Sequence, residues 1–590
     1  MDGPAQTAPR GRAGHSAWLV FSVVLDLLLL LALAVVVLVT ITGGTRLHVL
    51  GLTVGLRSVG GPLLLAYAVA CLRFLLRRRS PFLGLRRFGL EEVDTAAVRV
   101  CARAEGWLSA LKLRRAAILG AGVIGVSLLL KLVNACLHPG FFSGDDVEIH
   151  EMTLGRLYGL DWPVWELRNP FYPLVFIYPV QAALAALGIS DTAILVVAGR
   201  LVVVAFATAT LWLLLRLSGS RYGAGVALLA VVFLGTSRLH VGFGGSELPR
   251  PVSTFFVLGA FFCVSGTRRK AAVMLGGALL GVAAAMRFSE ALFVVPAMVA
   301  LLAERRVRDA LLVAATASAT AALIVGSADA LYWGRPFHSL TSALDFTLVK
   351  RLSSRGYEPA YQYAATLSSW TNPFTVALAL YASRLRLLAL ASWTWLPVLI
   401  LSALPHKEPR YLVPVLPFLA LSAALGMRHV LQGLQHLDSR RARGLLALAL
   451  LAGGAGALLY ELGGFRLRRS DDAVAFARRL AATAPKGAVA VEQLWRVGGR
   501  LYLRTFEGVA ELQAGRVTEP NYLASVVSDP TICTVAVLRH TCVFPTCEAA
   551  LGHEGFQDAD LPAATGSPYR VFERRQGTTC GSGATAVPGR

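Results

Sequence analysis

The stretch "LPHKEPRYLVP" (404–414) lies between two long apolar runs and contains four ionisable side chains, those of His406, Lys407, Glu408 and Arg410. Ionisable groups at the edge of membrane hydrocarbon are costly, so they are kept mainly where they have a function or anchor the chain at the interface. The stretch therefore predicts a membrane protein with a polar cluster at one membrane surface.

The composition agrees with a membrane protein. The 590 residues are 55% hydrophobic and only 16% charged, and apolar runs of about 18 residues or more recur, each long enough to cross a bilayer as a helix. The net charge of +22 would favour nucleic-acid binding in a soluble protein. Here the arginine clusters lie in short loops between apolar runs, so the positive-inside rule accounts for them and no nucleic-acid partner is expected.

The topology follows from the positions of these basic loops. The first run, about 18–41, is too long for a signal peptide and is not followed by a cleavage pattern, so we expect a retained span. A second span near 48–76 and a basic cytoplasmic segment, 77–115, precede a third span near 116–136. Further spans are expected near 191–216, 222–241, 251–266, 270–286, 287–304, 308–327, 366–382, 387–404, 411–428 and 443–463. About thirteen spans put the C-terminus outside, and the proline-rich segment 170–189 is predicted to be interfacial or re-entrant.

The apolar stretch 271–303 needs a break, because one helix of that length would exceed the bilayer thickness. We predict two short spans that meet at "MRFSE" (286–290), with Arg287 and Glu290 at the outer surface. The alternative is one tilted or broken helix that contains a structural ion pair.

With this topology, the unusual loops 137–171, 242–253, 328–365 and 405–411 gather on the outer side. Transporters tend to keep ionisable groups near the midplane and often show inverted repeats, which are not evident here. The pattern favours an enzyme at the outer interface, with a transporter of lipid-linked substrates as the less favoured alternative.

Several motifs resemble a known family. They are "DDVEIHE" (145–151), "WPVWELRNPFYP" (162–173), "ADALYWGRPF" (328–337), "GYEPAYQY" (356–363) and "HKEPRYLVPVLPFL" (406–419). Together they resemble the GT-C mannosyltransferases that extend N-glycan and GPI-anchor precursors from a lipid-phosphate sugar. The resemblance covers roughly 116–430, and the His-Lys-Glu-x-Arg-aromatic element is its most specific part. Here the acidic pair is Asp-Asp rather than Asp-Glu, and Tyr411 replaces a phenylalanine.

The resemblance implies a GT-C fold and the transfer of a sugar, expected to be mannose, from a polyprenyl-phosphate donor to a lipid-linked or extracytoplasmic glycan. The reaction would invert the anomeric centre and would need neither a metal nor a cofactor. Another GT-C branch that uses a pentose or hexosamine donor is the alternative. The expected location is the cell inner or plasma membrane, with the active site and the C-terminal domain outside.

The chemistry needs a base for the acceptor hydroxyl and cations for the departing phosphate. A carboxylate at the membrane surface can act as that base, and fixed positive groups can stabilise the phosphate. The expected catalytic residues are Asp145, Asp146 and His406; the expected donor-phosphate ligands are Lys407, Arg410 and Arg287; and the expected acceptor or supporting contacts are Glu408, Glu166, Arg168 and Tyr332. Asp146 is slightly favoured over Asp145 as the base.

The acidic pair also has a purely structural interpretation. "SGDD" (143–146) matches a capping box, with Ser143 as the N-cap and Asp146 at the third helical position. A helix start can hold a base as well, so both roles are compatible. Glu148 and Glu151, three residues apart, are expected on a solvated face.

The chain divides into three expected parts: an N-terminal extension with two spans (1–115), the GT-C core (116–463) and an extracytoplasmic α/β domain (464–590). In the last part, we expect a helix at 471–485 and strands at 487–495, 499–506 and 534–539. Its four cysteines, Cys533, Cys542, Cys547 and Cys580, predict two disulfides with three possible pairings. A metal site at His540, Cys542 and Cys547 is a weaker alternative, since the spacing fits poorly.

Overall fold

The computed structural model describes residues 24–32, 34–35, 45–49, 52–56, 65–66, 69, 90–138, 140–266, 268–350, 357–385, 387–464, 472–483, 487–513, 515–542, 546–559 and 566–575. Residues 24–32 and 34–35 are helical and lie within the expected first span, and β1 (Thr45–Val49) and β2 (Leu52–Leu56) follow. Residues up to 464 are otherwise mainly helical, and a small sheet follows.

The helices between residues 90 and 464 build the central part of the molecule. In chain order they are α1 (Leu90–Ala110), α2 (Leu113–Leu137), α3 (Gly144–Tyr158), α4 (Pro173–Ala186), α5 (Thr192–Tyr222), α6 (Ala224–Gly235), α7 (Arg238–Phe243), α8 (Pro249–Val264), α9 (Lys270–Met286), α10 (Phe288–Ala303), α11 (Val307–Trp333), α12 (His338–Leu344), α13 (Gln362–Ala365), α14 (Leu367–Trp370), α15 (Pro373–Ala382), α16 (Leu388–Ala403), α17 (Pro409–Leu434) and α18 (Arg440–Gly464). Short π-helical and 3₁₀ turns follow α12 (Asp345–Val349) and α15 (Ser383–Leu385).

Five helices in the described part of the chain are long and apolar enough to cross a membrane: α2, α5, α11, α17 and residues Ala442–Gly463 of α18. They coincide with five of the expected spans. Six shorter apolar helices, α4, α6, α8, α9, α10 and α16, fall on other predicted apolar segments. The molecule is therefore a helical membrane protein.

The expected span 366–382 is broken instead of continuous. A new helix, α15, begins at Pro373, and the side chain of Asn372 accepts a hydrogen bond from the backbone N–H of Thr375. An asparagine cap followed by proline is a strong start signal for a helix, and it overrides the apolar run.

The start predicted for the second span is wrong. β1 and β2 form an antiparallel hairpin, in which Val49 pairs with Leu52, where a helix from residue 48 was expected. Leu52, Val54 and Leu56 alternate with smaller or polar residues, and this period of two favours a strand. Most of the predicted first and second spans lies outside the described residues.

The predicted break near residue 287 is present. α9 ends at Met286, Arg287 is extended with φ −156°, and a 3₁₀ turn begins at Phe288. At this break, Glu290 is only 2% exposed and lies 3.8 Å from Arg250, so its carboxylate is enclosed within the protein. The buried guanidinium nearby makes the interior favourable for this carboxylate.

Small residues allow α9 and α11 to pack closely. A Cβ atom at Gly277 would lie 1.9 Å from the hydroxyl of Thr316, and one at Gly281 would lie 2.6 Å from the backbone oxygen of Ala317. These glycines are four residues apart on α9 and face α11, the spacing with which membrane helices approach each other.

The C-terminal residues form a five-stranded sheet of order β4-β3-β5-β7-β6. Its elements are α19 (Asp472–Ala482), β3 (Ala488–Glu492), a 3₁₀ turn (Leu494–Val497), β4 (Gly508–Leu512), α20 (Pro520–Val527), β5 (Ile532–Leu538), α21 (Thr546–His553), β6 (Phe556–Asp558) and β7 (Tyr569–Arg574). β3 pairs in parallel with β4 and β5, whereas β7 is antiparallel to β5 and β6.

Most of the predicted C-terminal elements are present, but the strand expected at 499–506 is not. Gly498 and Gly499 have φ of +88° and +61°, so the chain turns there while Leu501 and Leu503 remain in the core. Cys542 and Cys547 form a disulfide, and Cys533 is also disulfide-bonded. The metal site considered for His540, Cys542 and Cys547 is therefore wrong. Cys580 lies outside the described residues.

Candidate active site

The acidic pair lies at the start of α3. Ser143 is the N-cap residue, but its hydroxyl accepts a hydrogen bond from Arg410 (3.1 Å) instead of capping the helix. Asp146 reaches back to the backbone N–H of Phe142 (2.7 Å). The predicted capping box is thus only partly formed: Asp146 bonds a backbone N–H before the helix, but Ser143 does not cap it. The Ser143 hydroxyl instead links α3 to the segment 405–411.

Asp145 is surrounded by guanidinium groups from three separate segments. Its Oδ1 lies 2.5 Å from Arg168, and its Oδ2 lies 3.1 Å from Arg410 and 3.9 Å from Arg287. Burial by itself would raise the pKa of Asp145, but Arg168, Arg410 and Arg287 hold it well below its usual range. This carboxylate is therefore ionised at neutral pH.

A cavity of about 490 Å³ opens beside Asp145. Its charged lining residues comprise four arginines and two carboxylates: Arg168, Arg250, Arg287, Arg410, Asp145 and Glu408. Trp165, Phe346 and the apolar residues of α12 also line it. The wall thus carries an excess of positive charge next to an apolar surface, a combination suited to an anion attached to an apolar group.

Arg250 is a site residue that the sequence-based assignment did not include. It is 1% exposed, lines the cavity and lies 4.2 Å from the ring centroid of Tyr411. Its Nε and Nη1 atoms are buried and have no hydrogen-bond partner. A buried guanidinium with unfilled donors at a cavity wall favours an anionic ligand. The only sequence signal was its position in the loop 242–253.

The segment 405–411 contributes three of its four ionisable side chains to the cavity. His406 Nε2 lies 3.2 Å from Glu408 Oε1, and Glu408 also contacts the guanidinium of Arg410. Glu408 therefore contacts both His406 and Arg410. Lys407 points elsewhere: its Nζ donates to the backbone oxygens of Glu358 (2.8 Å) and Leu404.

Two further expected residues do not line the cavity. Glu166 is exposed and lies 3.6 Å from His338. Tyr332 packs edge-on against Trp333, with 4.8 Å between the ring centroids. Arg168, in contrast, binds both Asp145 and Glu148 and packs 5.4 Å from the ring centroid of Trp165.

Asp146 is completely buried behind the cavity wall. Its Oδ1 has no hydrogen-bond partner. Burial, followed by repulsion from Glu247, raises the pKa of Asp146 to about 8. The two neighbouring aspartates therefore have opposite environments, and only Asp145 reaches the cavity.

A buried ion pair supports the start of α3 from behind. Arg200 Nε donates to Glu247 (2.5 Å), and its other nitrogens donate to the backbone oxygens of His138 and Gly140 (2.7 Å for the latter). The backbone oxygen of Glu247 in turn accepts a hydrogen bond from Tyr172 (2.7 Å). Arg200 thereby fixes the loop that leads into Asp145.

With this geometry in place, the sequence can be compared with known proteins. The model of the Alg9-like mannosyltransferase family matches residues 147–462, more than half of the chain. The chain belongs to the Alg9-like mannosyltransferase family. It is thus a membrane glycosyltransferase of the GT-C type. The match includes the segment 405–411 but not the C-terminal sheet, and a comparison with curated protein sequences gives no match.

Solved structures show a similar fold. ArnT from Cupriavidus metallidurans in the apo state has a TM-score of 0.52 and 14% identity, over 77% of this chain and 97% of that one. The same protein bound to undecaprenyl phosphate gives a TM-score of 0.52 at 14% identity, over 78% and 98%. The Archaeoglobus fulgidus oligosaccharyltransferase gives 0.49 at 12% identity, over 71% and 69%. At such identities, the ArnT comparison is evidence of a shared fold.

The environment of Asp146 gives a testable pH dependence. Because its folded-state pKa is raised, the folded protein keeps a proton that the unfolded chain releases above about pH 4. Stability should therefore fall as the pH rises from about 4 towards the folded pKa of about 8. Asp146→Asn cannot ionise, so its Tm in detergent should decline less than that of the wild type between these pH values. If the Tm of the two proteins changes with pH in parallel, the pKa of Asp146 is not raised in the folded protein.

Proposed function

We propose that this family member transfers a sugar, with mannose as the first candidate, from a polyprenyl-phosphate donor to a lipid-linked or extracytoplasmic glycan, with inversion. The observation that carries the proposal is the carboxylate of Asp145, which contacts three arginines at a cavity lined by four arginines and by apolar side chains. The phosphate fits the cationic side, and the isoprenoid fits the apolar side. The ArnT structure with undecaprenyl phosphate supports this donor class.

We propose Asp145, and not Asp146, as the general base. The acceptor hydroxyl would attack the anomeric carbon, the C–O bond to the phosphate would break, and Asp145 would take the hydroxyl proton. The electron pair of the broken bond leaves with polyprenyl phosphate. A low pKa makes Asp145 a weak base in the empty site, but a bound phosphate would share Arg287 and Arg410 and so raise its basicity.

Arg250, Arg287 and Arg410 are the proposed phosphate ligands, and His406 lies where it can assist the leaving phosphate. The ammonium group of Lys407 donates hydrogen bonds to backbone oxygens. We therefore propose that Lys407 holds the segment 405–411 against Glu358. Arg168 positions Asp145. Glu166 and Tyr332 remain candidate acceptor contacts outside the cavity wall.

The arrangement in the membrane is also a proposal. It has about thirteen spans, the site and the C-terminal residues are extracytoplasmic, and the three parts are residues 1–115, 116–463 and 464–590. The disulfides of the last part support an oxidising compartment.

The function is tested by incubating the purified protein with a panel of polyprenyl-phosphate sugars and a glycan acceptor. We expect release of polyprenyl phosphate with one donor, mannose first, and a product of inverted anomeric configuration. If only a pentose or hexosamine donor is turned over, that sugar and not mannose is the one transferred. Failure with every donor would overturn the donor class.

The choice of base is tested with two variants of similar size. Asp145→Asn should lower kcat by about 10²–10⁴-fold, because the proton acceptor is lost, with donor binding retained. Asp146→Asn, behind the cavity wall, should have a milder effect. The reverse order in single-turnover assays would identify Asp146 as the base.

The phosphate ligands are tested by donor KM. Arg250→Ala and Arg287→Ala should raise it by about 10- to 100-fold, because each loses a charge-assisted contact. Arg335→Ala, an exposed arginine outside the cavity, is the matched control and should leave KM unchanged. Equal KM values for all three variants would show that the phosphate binds elsewhere.

The orientation is tested by thiol labelling of intact cells. Cys71, Cys101, Cys136 and Cys263 are first replaced by serine, and single cysteines are then introduced at exposed positions. Tyr361→Cys should react with a membrane-impermeant reagent, whereas Asp438→Cys should react only after permeabilisation. Labelling in the opposite order would place the site in the cytoplasm.

A further inference from the structure

The C-terminal residues contact the helix that carries Asp145. The backbone N–H of Arg500 donates to Glu151 Oε1 (2.8 Å), and the Arg500 guanidinium lies 3.4 Å from the same carboxylate. Glu151 is 4% exposed, so its predicted position on a solvated face is wrong. Its partner lies in the segment Gly498–Arg500, outside the region that matches the family.

This segment approaches α3 so closely that only glycine fits. At Gly499, with φ +61°, a Cβ atom would lie 2.3 Å from Val147 Cγ1 and 2.5 Å from Glu151 Oε1. At Gly498, with φ +88°, it would lie 3.0 Å from the ring of Phe141. A Cβ atom at Gly499 would thus clash with the first turns of α3, and one at Gly498 would crowd the loop before it.

A shared hydrophobic core surrounds this contact. It joins Phe141, Val147 and Leu154 to residues of the C-terminal sheet region, among them Leu494 and Val497. Arg504 lies 4.3 Å from the ring centroid of Tyr158 at the other end of α3. The C-terminal residues therefore contact α3 along its length and are not a separate unit connected only through the last membrane helix.

We propose that the C-terminal residues are a positioning element for catalysis, in which Gly498–Arg500 and Glu151 set the orientation that points Asp145 into the cavity. This inference rests on the proposed role of Asp145. Arg200 fixes the loop before α3, and Gly498–Arg500 contacts the face of the helix that carries Val147 and Glu151. A small tilt of α3 would change the distances from Asp145 to both the acceptor and the three guanidiniums.

Two matched glycine variants test the proposal in the full-length protein. Gly499→Ala adds a methyl group against α3, whereas Gly515→Ala adds one at φ +83° with no atom within 4 Å. Both impose backbone strain, but only the first displaces the helix. We expect kcat of Gly499→Ala to fall by about 10- to 100-fold, because misplaced reacting groups lose that much. Its donor KM should stay near the wild-type value, and Gly515→Ala should keep both constants.

A second pair of variants covers the case in which Gly499→Ala does not fold. Glu151→Ala removes the acceptor for the Arg500 N–H and should lower kcat, whereas Glu151→Gln keeps an acceptor oxygen and should recover most of it. Arg500→Ala keeps the backbone donor but removes the guanidinium beside the same carboxylate, so kcat should fall less than in Glu151→Ala. A purely structural role would lower the amount of active enzyme, measured by the burst amplitude, without a difference in kcat between Glu151→Ala and Glu151→Gln.

Unchanged kcat in both Gly499→Ala and Glu151→Ala would overturn the positioning role. So would a loss of burst amplitude with normal kcat per active site. These outcomes differ from failure of the proposed function: if Asp145→Asn keeps full activity, Asp145 is not the base, whatever the glycine variants do.

Discussion

The candidate active site depends on one electrostatic constraint, which is that Asp145 and its arginines can be buried only together. Arg168, Arg287 and Arg410 come from segments far apart in the chain and would repel one another without the carboxylate. The carboxylate alone would lose much of its solvation without them. Of these contacts, the ones to Arg410 at 3.1 Å and to Arg287 at 3.9 Å are those that a phosphate would share in the proposed mechanism. The carboxylate is thus paired, yet the cavity wall keeps the excess of positive charge that the proposed anionic donor would require.

This charge cluster works only if α3 stays in place, and most of the support for α3 lies outside the cavity. Arg200 holds the backbone oxygens at His138 and Gly140, just before the helix. Each of these bonds joins a charged donor to a buried carbonyl, which makes it stronger than a neutral pair. Ser143 adds a contact to Arg410 instead of capping the helix. The helix start is therefore fixed by tertiary bonds, which frees the carboxylate of Asp145 to face the cavity.

The sequence predicted those parts of the fold that depend on local pattern and composition. Long apolar runs correctly located α2, α5, α11 and α17, and the motif at residues 406–411 correctly indicated the family. Patterns could not predict contacts between distant segments. Arg250 resembled any loop arginine, Glu151 resembled a surface acid, and Lys407 resembled its neighbours in the motif. Each differs because of a partner more than 30 positions away in the chain: Glu290, Arg500 and Glu358.

The acidic pair shows why the motif alone could not distinguish the two aspartates. Successive residues in an α-helix point about 100° apart, so Asp145 and Asp146 must enter different environments. One faces three guanidiniums and stays ionised, while the other faces the interior beside Glu247 and keeps its proton more readily. Two identical side chains thus have opposite proton affinities. The direction of the helix determines which is which, and that direction is set by Arg200 and by the contacts at Gly499.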